Sequence, residues 1–290
     1  LSGGADSAAT AVLVKVMADL GIGELGEEGF RAKLGHIQFG DRPLMQQLLA
    51  CVYQSTRNSS ETTRHAAETV AKALDAEYQE WDVDELVEGY RSLVETGIGR
   101  GLNWDNDDLA LQNIQARVRA PGVWMLTNIR NALLLSTSNR SEAAVGYSTM
   151  DGDTSGGLSP ISGIDKAFLR QWLRWMEEVG CSPDIVAIPE LKVINDQAPT
   201  AELRPSEEGQ TDESDLMPYP LLDAIEKLAI RDKKLPVEVW ELMCEMQPEY
   251  GKEQLRAWVT KFFRLWSRNQ WKRERYAPGF HVDDKNLDPK

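Results

Sequence analysis

Ser2-Gly3-Gly4-Ala5-Asp6-Ser7 stands directly ahead of a helix-forming run, and its reading decides the fold. Two glycines let the backbone turn tightly and approach a ligand, while a helix behind them aims its first N–H groups into the turn. Ser2 and Ser7 add hydroxyl donors. An acid at Asp6 repels a bare phosphate, so the string suits a pyrophosphate that arrives with a metal ion. An ordinary helix cap explains the same six residues without any ligand, since Ser and Asp are favoured there. Behind the turn, Ala8, Ala9, Val12, Leu13, Val16, Met17 and Leu20 recur at the spacing of one helical face and predict a helix over 5–20.

Outward from that helix, strand and helix signals alternate. Residues 48–53 and 77–83 read as short strands, and 61–74 and 84–97 as helices. A Gly- and Asn-rich loop over 97–108 leads to a helix over 108–120, which Pro121 is expected to stop. Ala132–Leu135 has the length of a buried strand. Helix 166–178 carries Phe168, Trp172, Trp175 and Met176 on a common side. Residues 195–216 are acidic and poor in large apolar groups, so a mobile loop is expected there. Helices follow over 218–231, 236–246 and 251–270. This alternation predicts an α/β fold, an open parallel sheet flanked by helices, with a helical C-terminal extension over 217–290.

A second stretch complements the first. Ser138-Asn139-Arg140-Ser141-Glu142, then Gly146-Tyr147 and Gly152-Asp153, follow a strand, where ligand sites of open α/β sheets lie. Glu142 there would share a metal ion with Asp6, although a capped helix start would also explain Ser141 and Glu142.

Composition narrows the function classes. The 290 residues are 42% hydrophobic and 27% charged, which excludes a disordered chain. A net charge of −14 argues against nucleic-acid polymers as partners. Cys51, Cys181 and Cys244 form no CxxC pair, so a reducing, cytoplasmic setting is expected. No apolar run of membrane-spanning length occurs. A Walker-type loop is missing, and Gly21–Gly26, a literal GxGxxG, follows a helix and runs into Glu27-Glu28, so it reads as a helix stop and loop. His36, His65 and His281 are isolated, which disfavours zinc. No serine elbow or cysteine with a base suggests nucleophilic catalysis. Lys252, Arg256, Lys261, Arg264, Arg268, Lys272, Arg273 and Arg275 are expected on the solvated face of a docked helix, with Lys272 also able to reach an anionic ligand.

Together these stretches resemble the NAD synthetase family, specifically the synthetase domain of its glutamine-dependent members, in the ATP-pyrophosphatase superfamily. Residues 2–7 match the family's SGGxDS loop, and Cys51-Val52-Tyr53 through Asn58-Ser59-Ser60-Glu61-Thr62 look like its next strand and turn. Leu109–Arg117 is close to LALQNxQAR, and Ser138-Asn139 to Glu142 with Gly146-Tyr147 matches SNxxE…GY. Pro160-Ile161 to Lys166 resembles PIGGISK, and Pro199–Leu203 with Gln210–Glu213 matches PTAEL…QTDE.

The resemblance implies an adenine-nucleotide alpha-hydrolase-like sheet and ATP-dependent amidation of nicotinic acid adenine dinucleotide to NAD, with AMP and pyrophosphate released. It implies that Ser2, Gly3, Gly4, Asp6, Ser7, Thr137 and Lys166 line ATP, and that Asp6, Glu142 and Thr200 ligate Mg²⁺. Asn113, Arg117, Tyr147, Asp153 and Lys272 would lie along the dinucleotide. Asp6, Glu142 and Lys166 would carry the chemistry. A homodimer or higher homo-oligomer is implied, with ammonia, directly or from a glutaminase domain in cis, as nitrogen donor. Serines at 136 and 162 stand where the family has glycine. The chain opens at Leu1 inside a motif, so it is expected to be a piece of a longer polypeptide lacking the first strand. A related pyrophosphatase acting on GMP precursors or tRNA, and a non-catalytic nucleotide-binding module, are the alternative readings.

Overall fold

The structure, a computed structural model, describes residues 1–182, 185–197, 202–204 and 212–287. In chain order these form α1 (Ala5–Lys33), α2 (Leu44–Leu48), β1 (Ala50–Ser55), α3 (Glu61–Ala73), β2 (Glu77–Asp82), α4 (Asp84–Ile98), α5 (Trp104–Arg117), α6 (Arg119–Arg130) and α7 (Arg140–Val145). There follow α8 (Lys166–Glu178), α9 (Lys192–Asn195), α10 (Asp212–Asp215), α11 (Tyr219–Glu226), α12 (Pro236–Met246), α13 (Lys252–Arg268) and α14 (Gln270–Arg273). The chain divides into two units. One comprises Leu1–Arg119 with Leu169–Gln210, the other Ala120–Phe168 with Thr211–Lys290.

In the first unit β1 and β2 pair in parallel, Ala50 opposite Glu77 through Ser55 opposite Asp82. The connection between them is α3, as a parallel pair requires. Ser60 caps α3 by accepting the Thr63 amide at 3.2 Å. The buried stripe Thr63, Ala66, Ala67, Val70 and Ala71 has the helical spacing read from the sequence. α1 packs on α3 with an equally small face, Ala8, Ala9, Ala11 and Val12. Small side chains on both helices bring the head of α1 close to the first turn of α3.

α1 runs further than expected. The GxGxxG stretch is helical rather than a loop, with its only break at Gly26 (φ 70°). Gly21 gives the reason: a Cβ there would lie 2.4 Å from the Phe30 ring, so glycine makes room for the returning helix. β1 begins two residues later than the predicted strand because Leu44–Leu48 coils into α2. α5 begins earlier than expected, at Trp104, because Asn103 accepts the Asn106 amide at 3.0 Å. It is broken at Asp107, whose two oxygens each accept from Arg100 at 2.7 Å.

The second unit packs α7 and α11–α13 around Leu222, Ile225, Val239, Met243, Leu255, Val259 and Phe262. Pro121 does not stop a helix here. It lies in the first turn of α6, where its missing N–H is not needed, and the chain stays helical to Arg130. Ala132–Leu135 is not a strand either; only Leu135 pairs, in parallel with Leu158. The helices predicted after residue 217 are present, α11 continuing through a wider turn over Lys227–Arg231. Half of the acidic loop expected over 195–216 lies outside the described residues, and its end, Asp212–Asp215, forms α10.

α8 buries Leu169, Leu173 and Met176, whereas Phe168 and Trp175 are exposed, so the aromatic side read from the sequence is not its packed face. Truncating Leu173 to Ala should cost about 2–5 kcal/mol in denaturant unfolding, and Phe168→Ala less than about 0.5 kcal/mol. Equal losses would contradict this assignment of faces.

Candidate active site

The turn at the head of α1 is tied by its own serines. The Ser2 amide donates to Ser7 Oγ at 3.1 Å, and the two hydroxyl oxygens lie 3.1 Å apart. Ser7 Oγ donates in turn to the Gly4 carbonyl at 3.1 Å. Gly3 takes φ 81°, and a Cβ there would stand 2.1 Å from the Thr63 carbonyl oxygen of α3. That turn therefore requires glycine for both its conformation and its closeness to α3. Among the described residues no side chain caps the start of α1 at Gly4, a helix start of the kind that binds anions, and Asp6 lies in that same first turn.

Around the end of β1 a polar network forms that sequence reasoning did not identify. Gln115, buried on α5, accepts from Asn58 Nδ2 at 2.8 Å and from the Thr56 hydroxyl at 3.4 Å, and donates to the Leu203 carbonyl at 2.7 Å. Glu202 accepts from the Ser60 hydroxyl (2.7 Å), the Thr63 hydroxyl (2.9 Å) and the Ser60 amide (3.2 Å) at the head of α3. A carboxylate at a helix N-terminus is favourable both by hydrogen bonding and by the helix dipole. Arg204 grips Asp108 with two bonds of 2.8 and 2.9 Å. Residues 202–204 are thus held on α3 and α5, close in sequence to Thr200, which itself lies outside the described residues. Asn113 and Arg117, four residues apart, share a face of α5, with Arg117 exposed.

In the second unit Asn139 caps α7 by accepting the Glu142 amide at 3.0 Å, and Gly146 ends it at φ 67°. Glu142 thereby stands in the first turn of a six-residue helix. Its Oε1 accepts from Lys166 Nζ at 2.9 Å and from the Tyr219 hydroxyl at 3.2 Å. The Lys166 side chain is only 3% exposed and Glu142's 13%. Tyr219 also reaches Asp212 at 3.3 Å, and Tyr147 donates to Asp215 at 2.9 Å. Burial, then the nearby Asp212 and Asp215 charges, hold the Tyr147 hydroxyl well above the usual tyrosine range, so it remains a donor. Thr137 is half-buried, and the exposed Asp153 accepts the Thr149 amide at 2.7 Å.

Lys272 does not project into solvent: its Nζ donates to the Gly146 and Ser148 carbonyls, both at 2.7 Å. Arg273 behind it is buried over the Trp266 ring at 3.6 Å and donates to the Ala144 carbonyl at 3.0 Å. The cations at this end of the basic stretch finish α7's C-terminus instead of forming a solvated face. The two serines that replace family glycines are accommodated by glycines opposite. A Cβ on Gly156 would lie 2.5 Å from the Ser136 amide nitrogen, and one on Gly279 would lie 1.9 Å from Ser162 Oγ.

Beneath this pair lies a charge cluster that sequence reasoning also missed, because its members are distant in the chain. Arg140 binds Asp165 (2.6 Å) and Asp283 (2.5 and 2.8 Å). Lys285 binds both oxygens of Asp165 (2.7 and 2.8 Å) and lies 3.3 Å from Glu226. Burial pushes the Glu226 carboxyl up to about 8 and Asp223 up to about 6, with Lys285 pulling the other way in both.

The structure therefore brings Glu142 and Lys166 into contact and ties Ser2, Gly4 and Ser7 into one turn. Asp6 and Glu142 belong to different units, each described by itself. As ligands, two carboxylates and a hydroxyl form a set of hard oxygen donors, the kind Mg²⁺ takes.

Removing the Glu142 carboxylate by Glu142→Ala should cost about 3 kcal/mol because a buried ammonium loses its facing charge. Adding Lys166→Met should restore most of that stability in the same unfolding assay; no recovery would contradict the pairing. The raised Glu226 carboxyl gives a second expectation. A carboxyl that is harder to ionise when folded favours the fold fully below about pH 4.5, and that contribution is lost as pH rises through about 8. Wild-type stability should therefore fall across this window by a few kcal/mol, since each tenfold change in proton affinity is worth about 1.4 kcal/mol. Glu226→Gln should flatten the slope. Identical slopes in the two proteins would refute it.

Comparisons with known proteins give one consistent result. The family model described as NAD synthase matches residues 1–275. A glutamine-dependent NAD(+) synthetase of Oryza sativa subsp. indica is 29% identical over 317 aligned residues, covering 98% of this chain and 42% of that protein. One from Aquifex aeolicus is 36% identical over 188 residues, covering 65% of this chain and 31% of the relative. The crystal structure of a glutamine-dependent NAD(+) synthetase from Cytophaga hutchinsonii superimposes with a TM-score of 0.84 at 44% identity, covering all of this chain and 48% of that one. The chain thus spans less than half the length of each of these three relatives.

Proposed function

The chain belongs to the NAD synthase family, and from that premise we propose that it catalyses the ATP-dependent amidation of nicotinic acid adenine dinucleotide to NAD. The observation that carries the reading is the glycine turn at the head of α1. It is an uncapped helix start pressed against α3 so closely that Gly3 admits no side chain, with Asp6 in its first turn.

In the first step a nicotinate carboxylate oxygen attacks the α-phosphorus of ATP. The new O–P bond forms as the bond to the β-phosphate oxygen breaks, and pyrophosphate leaves. In the second, the nitrogen of ammonia adds to the activated carbonyl carbon, loses a proton, and AMP departs with the bridging oxygen. Neither step needs a protein nucleophile, so the protein's part is positioning and charge.

Ser2, Gly3, Gly4 and Ser7, with the first amides of α1, bind the departing pyrophosphate, and Thr137 lies along the nucleotide. Lys166 supplies a cation for the ATP phosphates, and its 2.9 Å bond to Glu142 fixes where its ammonium stands. Asp6, Glu142 and Thr200 would hold Mg²⁺, which when bound neutralises phosphate charge. Asn113, Arg117, Tyr147 and Asp153 line the dinucleotide. Lys272 shapes the loop after α7 through the Gly146 and Ser148 carbonyls, the route by which it would affect that substrate.

All 290 residues are read as one synthetase domain, with 217–290 its helical extension. Ammonia is taken up directly or released from glutamine by a domain in cis. The names of the relatives, and the chain's share of their length, support the second source. A homo-oligomer, with a homodimer as its smallest form, working in the cytoplasm completes the reading. Among the described residues no helix is long and apolar enough to cross a membrane.

Incubation with nicotinic acid adenine dinucleotide, ATP, Mg²⁺ and ammonium should yield NAD, AMP and pyrophosphate in equal amounts. Asp6→Asn should reduce pyrophosphate release by about 100-fold or more with the fold intact. Formation of ADP and phosphate, or undiminished turnover by the variant, would overturn the assignment.

A further inference from the structure

Lys285 belongs to none of the family motifs, yet it is among the most buried charges of the second unit, its side chain only 3% exposed. It arrives on the segment that follows α14, close to Asp283. Its ammonium lies 2.7 and 2.8 Å from the two oxygens of Asp165 and 3.3 Å from Glu226. The charged groups around it come from four elements: Arg140 on α7, Asp165 at the entrance to α8, Asp223 and Glu226 on α11, and Asp283 on its own segment. One oxygen from each of Asp165, Asp223 and Glu226 falls within 4.8 Å of the others. Glu226 is wholly buried and neither of its oxygens has a hydrogen-bond donor, so its compensating charges are Lys285 and, at 3.8 Å, Arg140.

This cluster touches the candidate site at two points. Asp223 accepts from the Ser141 hydroxyl at 2.5 Å and from the Ala167 amide at 3.1 Å. Ser141 Oγ accepts the Lys166 amide at 2.8 Å. Ser141 is the neighbour of Glu142, and Asp165 and Ala167 flank Lys166. Lys285 thus binds Asp165 and stands 3.3 Å from Glu226 in the cluster whose Asp223 anchors Ser141 and Ala167, the sequence neighbours of Glu142 and Lys166. A buried charge cluster is weak evidence for stability, because apolar residues of the same volume often do as well; what it supplies is a fixed arrangement.

We propose that Lys285 is a positioning residue, whose ammonium closes the Asp165–Asp223–Glu226 cluster and so fixes the Glu142–Lys166 pair at the mouth of α7 and α8. Without it Asp165 loses one of its two cations and the buried Glu226 its nearer one, and the entrance of α8 is held less firmly to α11. Its consequence for turnover rests on the proposed amidation; its structural consequence does not.

The test compares full-length Lys285→Met and Lys285→Arg with the wild type, using amide hydrogen exchange and steady-state turnover. Lys285→Met keeps the length and removes the charge. It should speed exchange over 140–147 and 164–168 by about ten-fold while α1 and α3 are unchanged, and lower kcat about ten-fold. Lys285→Arg should restore both. Unchanged exchange and turnover in Lys285→Met would overturn the proposal. So would exchange raised equally in α1 and α3, which would mark a general loss of stability. A wild type without turnover whose Lys285→Met variant still loosens only those two segments would uphold the positioning role and refute the proposed reaction.

Discussion

A buried lysine next to a carboxylate is the constraint on which the second unit is organised. Lys166, 3% exposed, pairs with Glu142 at 2.9 Å, and Glu142 takes that place because Asn139 starts α7 where it does. The Asn139 cap, the Gly146 stop and the Lys272 and Arg273 contacts with α7's last carbonyls follow from keeping a six-residue helix whole. So short a helix has little stability of its own, and tertiary contacts must supply it.

The first unit answers a different requirement: the close approach of two helix backbones. Alanines on α1 and α3 bring the two helices together, and the closeness shows at Gly3, where not even a methyl group fits. The serines of that turn bind each other and the backbone, so its shape is set by its own chain. Glu202 satisfies the start of α3 next to it. The start of α1, by contrast, has no side-chain cap among the described residues, and the proposed anion site rests on that difference between neighbouring helices.

What was legible in the sequence was what is local. The helical stripe of α3, the β1–α3–β2 alternation and a helix start near Ser141 and Glu142 depend on residues within a few positions of each other, and the family motifs mark the same places; that Asn139 is the cap and Gly146 the stop came from the structure. Pro121 misled because its meaning depends on where a helix begins: it ends one in the interior and opens one in the first turn. Gly21 misled because its function is to admit Phe30, further along the same chain segment. Phe168 and Trp175 look like core residues but are exposed, since hydrophobicity alone does not say which face of α8 is covered. Gln115, Glu202 and the Arg140–Glu226–Lys285 cluster were out of reach for one reason: their partners lie between 25 and 145 residues away.

The central claim is that this chain activates a carboxylate by adenylation and then exchanges oxygen for nitrogen. It is tested most directly by placing ¹⁸O at both oxygens of the nicotinate carboxylate of the dinucleotide and following the label. The account predicts one ¹⁸O in the AMP released for each NAD formed, and none in pyrophosphate. AMP without label, or label in inorganic phosphate, would contradict it.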